Sequence, residues 1–276
     1  MLVTSLYRAH RLIDTLAHWP PLQRQLQRRY EHHFCRARGK AHLFRGVFDS
    51  FAAAQDSAPP AAALGYNNAD AAALYLERSE QIYPGDYPVL FWLSKLLAGS
   101  PQQLLDLGGH IGVSYYAYRR YLDYPAKLRW SVHDVAAVME RGRILARDMD
   151  GSGQLQFCAR IDELDAIDLL LALGSLQYLP DTLAQRLARL PALPPHLLLA
   201  AVPIHARQSY FTLQNMGSAF CPYRITAMEE FVASFEAMGY QLIDRWESPE
   251  KSCLIPFHPQ HSLERYHGFY FRRQAL

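Results

Sequence analysis

LDLGGHIG (105–112) is the stretch that decides the fold. The apolar run QLLDL (103–107) leads into it as a strand, and a helical pattern over 113–122 leaves it, so the order is strand, glycine turn, helix. Gly108 and Gly109 allow a tight turn and close approach of the backbone to a ligand. The helix beyond Gly112 opens with unpaired N–H groups. No Gly-Lys-Ser/Thr follows, which excludes a P-loop. His110 occupies the middle position of a GxGxG pattern, so the dinucleotide fingerprint is imperfect.

Working outward, apolar strand patterns recur at 128–133, 155–158, 167–173, 197–202, 240–246 and 268–272. Helical patterns fall between most of them, at 113–122, 135–148, 181–190 and 226–238. Unalternating strands separated by helices predict an α/β domain over 100–276, a parallel sheet covered on both faces. Residues 1–99 read as a helical N-terminal cap. Its helices are expected over 4–17, 22–34, 71–82 and 88–98, with an Ala/Pro loop at 58–63. Asp134 lies 28 residues after Asp106, just past the second predicted strand. A carboxylate there is placed to accept hydrogen bonds from both ribose hydroxyls of a nucleoside.

Composition narrows the class. Half the 276 residues are hydrophobic and a fifth are charged, which suits a filled core and excludes wholesale disorder. No apolar run approaches the length of a membrane span, the longest being 197–204. The first residues, MLVTSLYRAHRLID, contain no apolar signal core, and the four scattered cysteines never form CxxC. A cytoplasmic protein with reduced thiols is expected. Residues 1–48 carry nine Lys/Arg against two Asp/Glu, while the remainder carries 19 against 24. That basic leader reads as a solvated helical face, and no nucleic-acid or membrane partner is expected. His258 and His261, with His267 nearby, are faintly metal-like, but Pro256 and Pro259 break any helix joining them, and no metal site is expected.

With its glycine turn and Asp134, the chain resembles the class I S-adenosylmethionine-dependent methyltransferases. The resemblance implies their Rossmann-like fold with a seven-stranded, mostly parallel sheet. It matches Asp106, Gly108, Gly109 and Gly112 to the first motif, Asp134 to the ribose acid and Asp162 to an adenine contact. It also sets LGSLQYLPD (173–181) beside the reacting sulfonium. GVFDSFAAA, GYNNAD, YPVLFWL, GSLQYL, TLQNMGSAFCPYR and the terminal YHGFYF are similar to a narrower bacterial family of predicted methyltransferases, often encoded in biosynthetic clusters. Some relatives in that group are azetidine-2-carboxylate synthases, which cyclise S-adenosylmethionine instead of passing on its methyl group. The resemblance therefore implies a small-molecule enzyme consuming S-adenosylmethionine, either as a cyclase or as a methyltransferase acting on a metabolite or sugar. A catalytically silent cofactor-binding protein is the remaining alternative.

A sulfonium in a dry pocket favours aromatic walls, each face contributing roughly 0.5–2 kcal/mol. Tyr115, Tyr116 and Tyr178 fall at the expected site, and Phe51, Tyr66 and Tyr75 in the cap. Tyr178 is the first choice for a ring against the sulfonium. Gln177 and Ser175 share its loop and are candidates to orient or deprotonate an amine, directly or through water, with Gly174 at the end of the strand. Asn67, Asn68, Gln214, Asn215 and Arg224 are polar residues in otherwise apolar segments. Arg224 is a candidate partner for the methionine carboxylate. His110 and His133 flank the turn and are candidate bases.

Overall fold

The computed structural model describes residues 20–39, 41–60, 77–164 and 166–274. The helix expected over 4–17, the first half of that over 71–82, and Tyr66, Asn67, Asn68 and Tyr75 lie outside the described residues.

The described residues begin with α1 (Pro20–Arg36), β1 (Leu43–Phe48) and α2 (Phe51–Asp56). Ser50 caps α2 by accepting a hydrogen bond from the Ala53 N–H. Two short helical turns, Glu77–Glu80 and Pro84–Asp86, lead into α3 (Tyr87–Leu97). Pro88 sits in the first turn of α3, and Val89, Leu90, Leu93 and Leu97 make a buried stripe at helical spacing.

Strands and helices then alternate: β2 (Gln103–Leu107), α4 (Val113–Tyr118), β3 (Arg129–His133), α5 (Ala136–Met149), β4 (Leu155–Phe157), β5 (Leu169–Leu173), α6 (Leu183–Leu187) and β6 (His196–Val202). After them come β7 (Ile204–His205), β8 (Tyr210–Asn215), β9 (Phe220–Ala227), α7 (Met228–Glu236), β10 (Tyr240–Ser248) and β11 (Tyr266–Arg273).

Seven strands form the main sheet in the order β10-β11-β6-β5-β2-β3-β4. Six run in one direction, and β11 runs antiparallel between β6 and β10. All of β2 and most of β5 are buried, which explains their unbroken apolar runs. Leu93, Tyr118, Trp130 and Leu104 pack on one face of the sheet. Leu183, Leu187, Phe231 and Phe235 pack with Leu105, Leu170 and Phe269 on the other. Each such side chain contributes roughly 1.5–3 kcal/mol by leaving water. Strand order reverses between β2 and β5, so a crevice opens beyond their carboxyl ends, where ligands bind in sheets of this kind.

A second sheet, of order β1-β8-β9-β7, was not expected from the sequence. β1 pairs antiparallel with β8, Leu43 opposite Asn215 and Phe48 opposite Phe211. The register shifts between Arg45 and Phe48, where Gly46 takes a φ of +73°. Such a bulge defeats a strict alternating pattern. The N-terminal region is therefore not purely helical: one of its strands is hydrogen-bonded into a sheet built from residues beyond 200. No helix among the described residues is long and apolar enough to cross a membrane.

Candidate functional site

The glycine turn closes tightly on its surroundings. Gly108 has a φ of +77°, and a β-carbon there would overlap the Ser175 side chain. One on Gly109 would overlap the Asp106 carboxyl. His110 also adopts a left-handed φ, +59°, a conformation that strains a non-glycine residue by about 1–2 kcal/mol. Its N–H donates to Asp134 Oδ2 at 2.9 Å, tying the turn to the end of β3. Ser175 Oγ donates to the Leu107 carbonyl at 2.5 Å, tying the loop after β5 to the end of β2.

Two adjoining cavities open here. One, of about 500 Å³, is lined by Phe51, His133, Asp134, Val135, Ser175 and Cys221 among others. The second, of about 430 Å³, is lined by Asp106, Gly109, Ser114, Tyr118, Gln177 and Gln214, and by groups from the N-terminal region. Gly108, His110, Leu173, Gly174 and Tyr178 border both, so the two make one cleft.

Asp134 stands in the larger cavity. Its Oδ1 accepts from the Val135 N–H at 2.7 Å, while Oδ2 takes that of His110, and burial raises its carboxyl above the ordinary range. Each oxygen keeps a second lone pair for a hydroxyl donor. Asp134→Ala is expected to weaken nucleoside affinity about 10- to 100-fold, from the loss of one or two charge-assisted hydrogen bonds. Calorimetric titration with S-adenosylhomocysteine checks it; unchanged affinity would misplace the ribose contact.

Asp106 is 1% exposed. Its Oδ2 accepts from the Trp130 indole N–H at 3.1 Å, and its Oδ1 has no hydrogen-bond partner among the described residues. Burial, reinforced by the Asp134 charge, lifts its carboxyl to about 7 against the pull of the Trp130 hydrogen bond. Tyr178 forms the partition of the cleft. Its hydroxyl donates to Gln214 Oε1 at 2.9 Å, and its ring meets Tyr223 edge-on at 5.2 Å. Phe44, Tyr118, Tyr223 and Tyr266 join it around the smaller cavity. Gln177 is buried, with Nε2 donating to the Gly174 carbonyl at 2.7 Å and Oε1 unpartnered. Of the three residues expected to do chemistry, Tyr178 and Gln177 face the smaller cavity, while the hydroxyl of Ser175 is committed to the backbone.

Other expected residues stand elsewhere. Tyr115 points into the core, its ring against Trp130 and Tyr124 and its hydroxyl on Asp150. The cavity face of α4 instead holds Val113, Ser114, Ala117 and Tyr118, and position 115 is turned away by the helical repeat. Asp162 is paired with the exposed Arg160 at 2.5 Å and lines neither cavity. Asn215 is structural: its amide donates to the Phe34 and Ala37 carbonyls and its oxygen accepts from Gly217. Arg224 lies over the Phe211 ring and donates to the Leu179 and Pro180 carbonyls, away from the smaller cavity. The rings of His258 and His261 are 6.1 Å apart, and no group of three metal-ligating side chains gathers among the described residues. Sequence reasoning missed His42, Arg78, Asp86 and Lys251, which line the smaller cavity. His42, Asp86 and Lys251 sit in turns and connecting segments without periodicity, and the helical pattern over 71–82 gave no sign that Arg78 faces a cavity.

No protein-family model matches the sequence, and no curated protein matches it. Solved structures do. A candidate sarcosine dimethylglycine methyltransferase from Galdieria sulphuraria is 14% identical over 76% of this chain and 99% of its own, with a TM-score of 0.50. The 1,6-didemethyltoxoflavin-N1-methyltransferase of Burkholderia thailandensis is 21% identical over 79% and 95%, with a TM-score of 0.44. An S-adenosylmethionine-dependent methyltransferase from Clostridium acetobutylicum is 12% identical over 74% and 98%, with a TM-score of 0.45. With the strand order above, the first likeness shows that the chain has the Rossmann-like class I methyltransferase fold.

Proposed function

We propose that the chain binds S-adenosylmethionine in this cleft and converts it to azetidine-2-carboxylate and methylthioadenosine. The residues fit such a guest. Asp134 is placed for ribose hydroxyls, Gly108 and Gly109 present no side chain of their own to the cleft, and a buried carboxylate oxygen awaits a donor. S-adenosylmethionine supplies a sulfonium with three activated carbons, whose Cγ is open to its own α-amine in cyclisation and whose methyl is open to an external acceptor in transfer.

The observation that carries the cyclisation reading is the Asp106 carboxyl. An ammonium is no nucleophile until it loses a proton. Asp106 has an unpartnered oxygen, borders the smaller cavity and holds a proton up to about pH 7. Methyl transfer to an external acceptor leaves the ammonium charged, and there the same carboxylate would only hold it in place. Aromatic rings of Phe44, Tyr118, Tyr178, Tyr223 and Tyr266 exclude water and face a cation favourably. The second reading is methyl transfer to a small molecule. It is favoured by the reach of the smaller cavity from Asp106 to Gln81 and Lys251, which leaves space for another substrate.

Incubating the pure protein with S-adenosylmethionine alone separates the two. Methylthioadenosine together with azetidine-2-carboxylate supports cyclisation. Silence until an acceptor is added, followed by S-adenosylhomocysteine, supports transfer. Binding without turnover in either case leaves a silent cofactor protein. Tyr178→Ala is expected to lower kcat about 10- to 100-fold by loosening the reacting arm, with the affinity for S-adenosylhomocysteine changing less than about threefold because that ligand carries no sulfonium charge. An unchanged kcat would remove Tyr178 from the mechanism.

A further inference from the structure

We propose that His42, Arg78 and Lys251 form a carboxylate-binding wall in the same cleft, an inference that rests on the cofactor reading above. The three residues come from separate segments: the approach to β1, the turn Glu77–Glu80 and the loop after β10. All three line the smaller cavity, on the side built by the N-terminal region and that loop, while Asp106 belongs to the sheet side.

Their charge is matched only in part. No described carboxylate lies within ion-pair distance of any of them. Asp86 borders the cavity too, but its Oδ1 accepts from the Tyr118 hydroxyl at 2.9 Å and its Oδ2 from the Tyr83 N–H at 2.7 Å. Glu250 also lines the cavity and, with Asp86, only partly offsets the crowding at Lys251. Burial, then the Arg78 charge, pulls the Lys251 ammonium below its ordinary range; burial, then Lys251, does the same to His42. The Arg78 guanidinium lies over the Tyr83 ring at 5.1 Å, which restricts its orientation.

Arg78 and Lys251 are half-buried cations that repel one another and, with the exposed His42 beside them, call for an anion. The opposite polarity at Asp106 identifies its kind. A free carboxylate oxygen on one side and a cationic wall on the other suit a zwitterion, with ammonium toward Asp106 and carboxylate toward the wall. That carboxylate belongs either to the amino-acid arm of the sulfonium or to a separate amino-acid-like ligand.

Calorimetry on the full chain tests this with S-adenosylhomocysteine and with S-adenosyl-3-thiopropylamine, which lacks only the carboxylate. The wild-type protein is expected to bind S-adenosylhomocysteine about 30-fold more tightly. Arg78→Gln and Lys251→Met should each erase about 5- to 10-fold of that preference, with the affinity for the amine unchanged and Lys251→Arg restoring it. Where S-adenosylhomocysteine is insensitive, azetidine-2-carboxylate is titrated into protein loaded with methylthioadenosine. Binding that both variants lose assigns the wall to a separate carboxylate. Variants that leave every affinity unchanged, or weaken the amine as much as S-adenosylhomocysteine, overturn the proposal. Wild-type protein that binds none of the nucleosides overturns the cofactor reading itself.

Discussion

Asp106→Asn is expected to lower turnover of S-adenosylmethionine about 10²- to 10⁴-fold, the range for loss of a positioned proton acceptor. Asparagine keeps the shape, and its oxygen still accepts from the Trp130 indole, so methylthioadenosine, which has no ammonium, should bind with little loss. In the wild-type protein kcat/KM is expected to rise with pH through about 7 and then level, because only the ionised carboxylate of the free protein accepts a proton. Stability runs the other way. The folded carboxyl holds its proton more tightly than the unfolded one, so stability is greatest below the ordinary carboxylate range near 3.8 and falls as pH rises toward 7. The upper bound on that fall is about 4 kcal/mol, at ~1.4 kcal/mol per pH unit. Asp106→Asn should flatten the slope in urea titrations run between pH 4 and 8. An ammonium brought beside Asp106 should also release part of a proton near pH 7, visible as buffer-dependent binding heat that the variant lacks. A variant with full turnover, or a pH profile without the step, would leave the proton acceptor elsewhere.

Gly108→Ala should do the most damage to the fold at the site. The position has a left-handed φ and its new methyl would meet Ser175, whose hydroxyl ties the β5 loop to the end of β2. Strain and overlap together are expected to remove about 3 kcal/mol of stability. For a chain of this size that is roughly 6–10 °C in Tm. Affinity for S-adenosylhomocysteine should fall with it, because the turn, Asp106 and Tyr178 are displaced together. Gly153→Ala is the matched control: its φ is +70° but nothing lies within 4 Å of the added carbon. It should lose only the conformational part, about 1 kcal/mol. Equal losses at the two positions would show that the packing against Ser175 contributes nothing.

The contrast between what the sequence disclosed and what it hid follows from how each part is made. The seven strands of the main sheet were legible because residues such as 103–107 and 169–173 are apolar on both faces, a pattern that survives without any knowledge of partners. The second sheet was not. β8 buries Thr212, Gln214 and Asn215 in place of apolar residues, and β1 is interrupted by the bulge at Gly46. The glycine turn and Asp134 were legible because their spacing is set by one strand–turn–helix unit and the next strand. Tyr115 was misread by a single step of the helix, since positions 114, 117 and 118 face the cleft and 115 does not. Asp162 was placed from resemblance alone, and a neighbouring arginine holds it at the surface. Arg78, Lys251 and His42 meet only through tertiary folding.

The pairing of β1 with β8 has a consequence for how the protein is made. Residues 43–48 leave the ribosome more than 160 residues before their partners at 211–215. Until then β1 is a bare edge with open N–H and C=O groups, the kind of template on which nascent chains stick to one another. Synthesis therefore exposes this segment longest, and slow translation or a shortage of chaperones should lower the yield of soluble chain through that strand first.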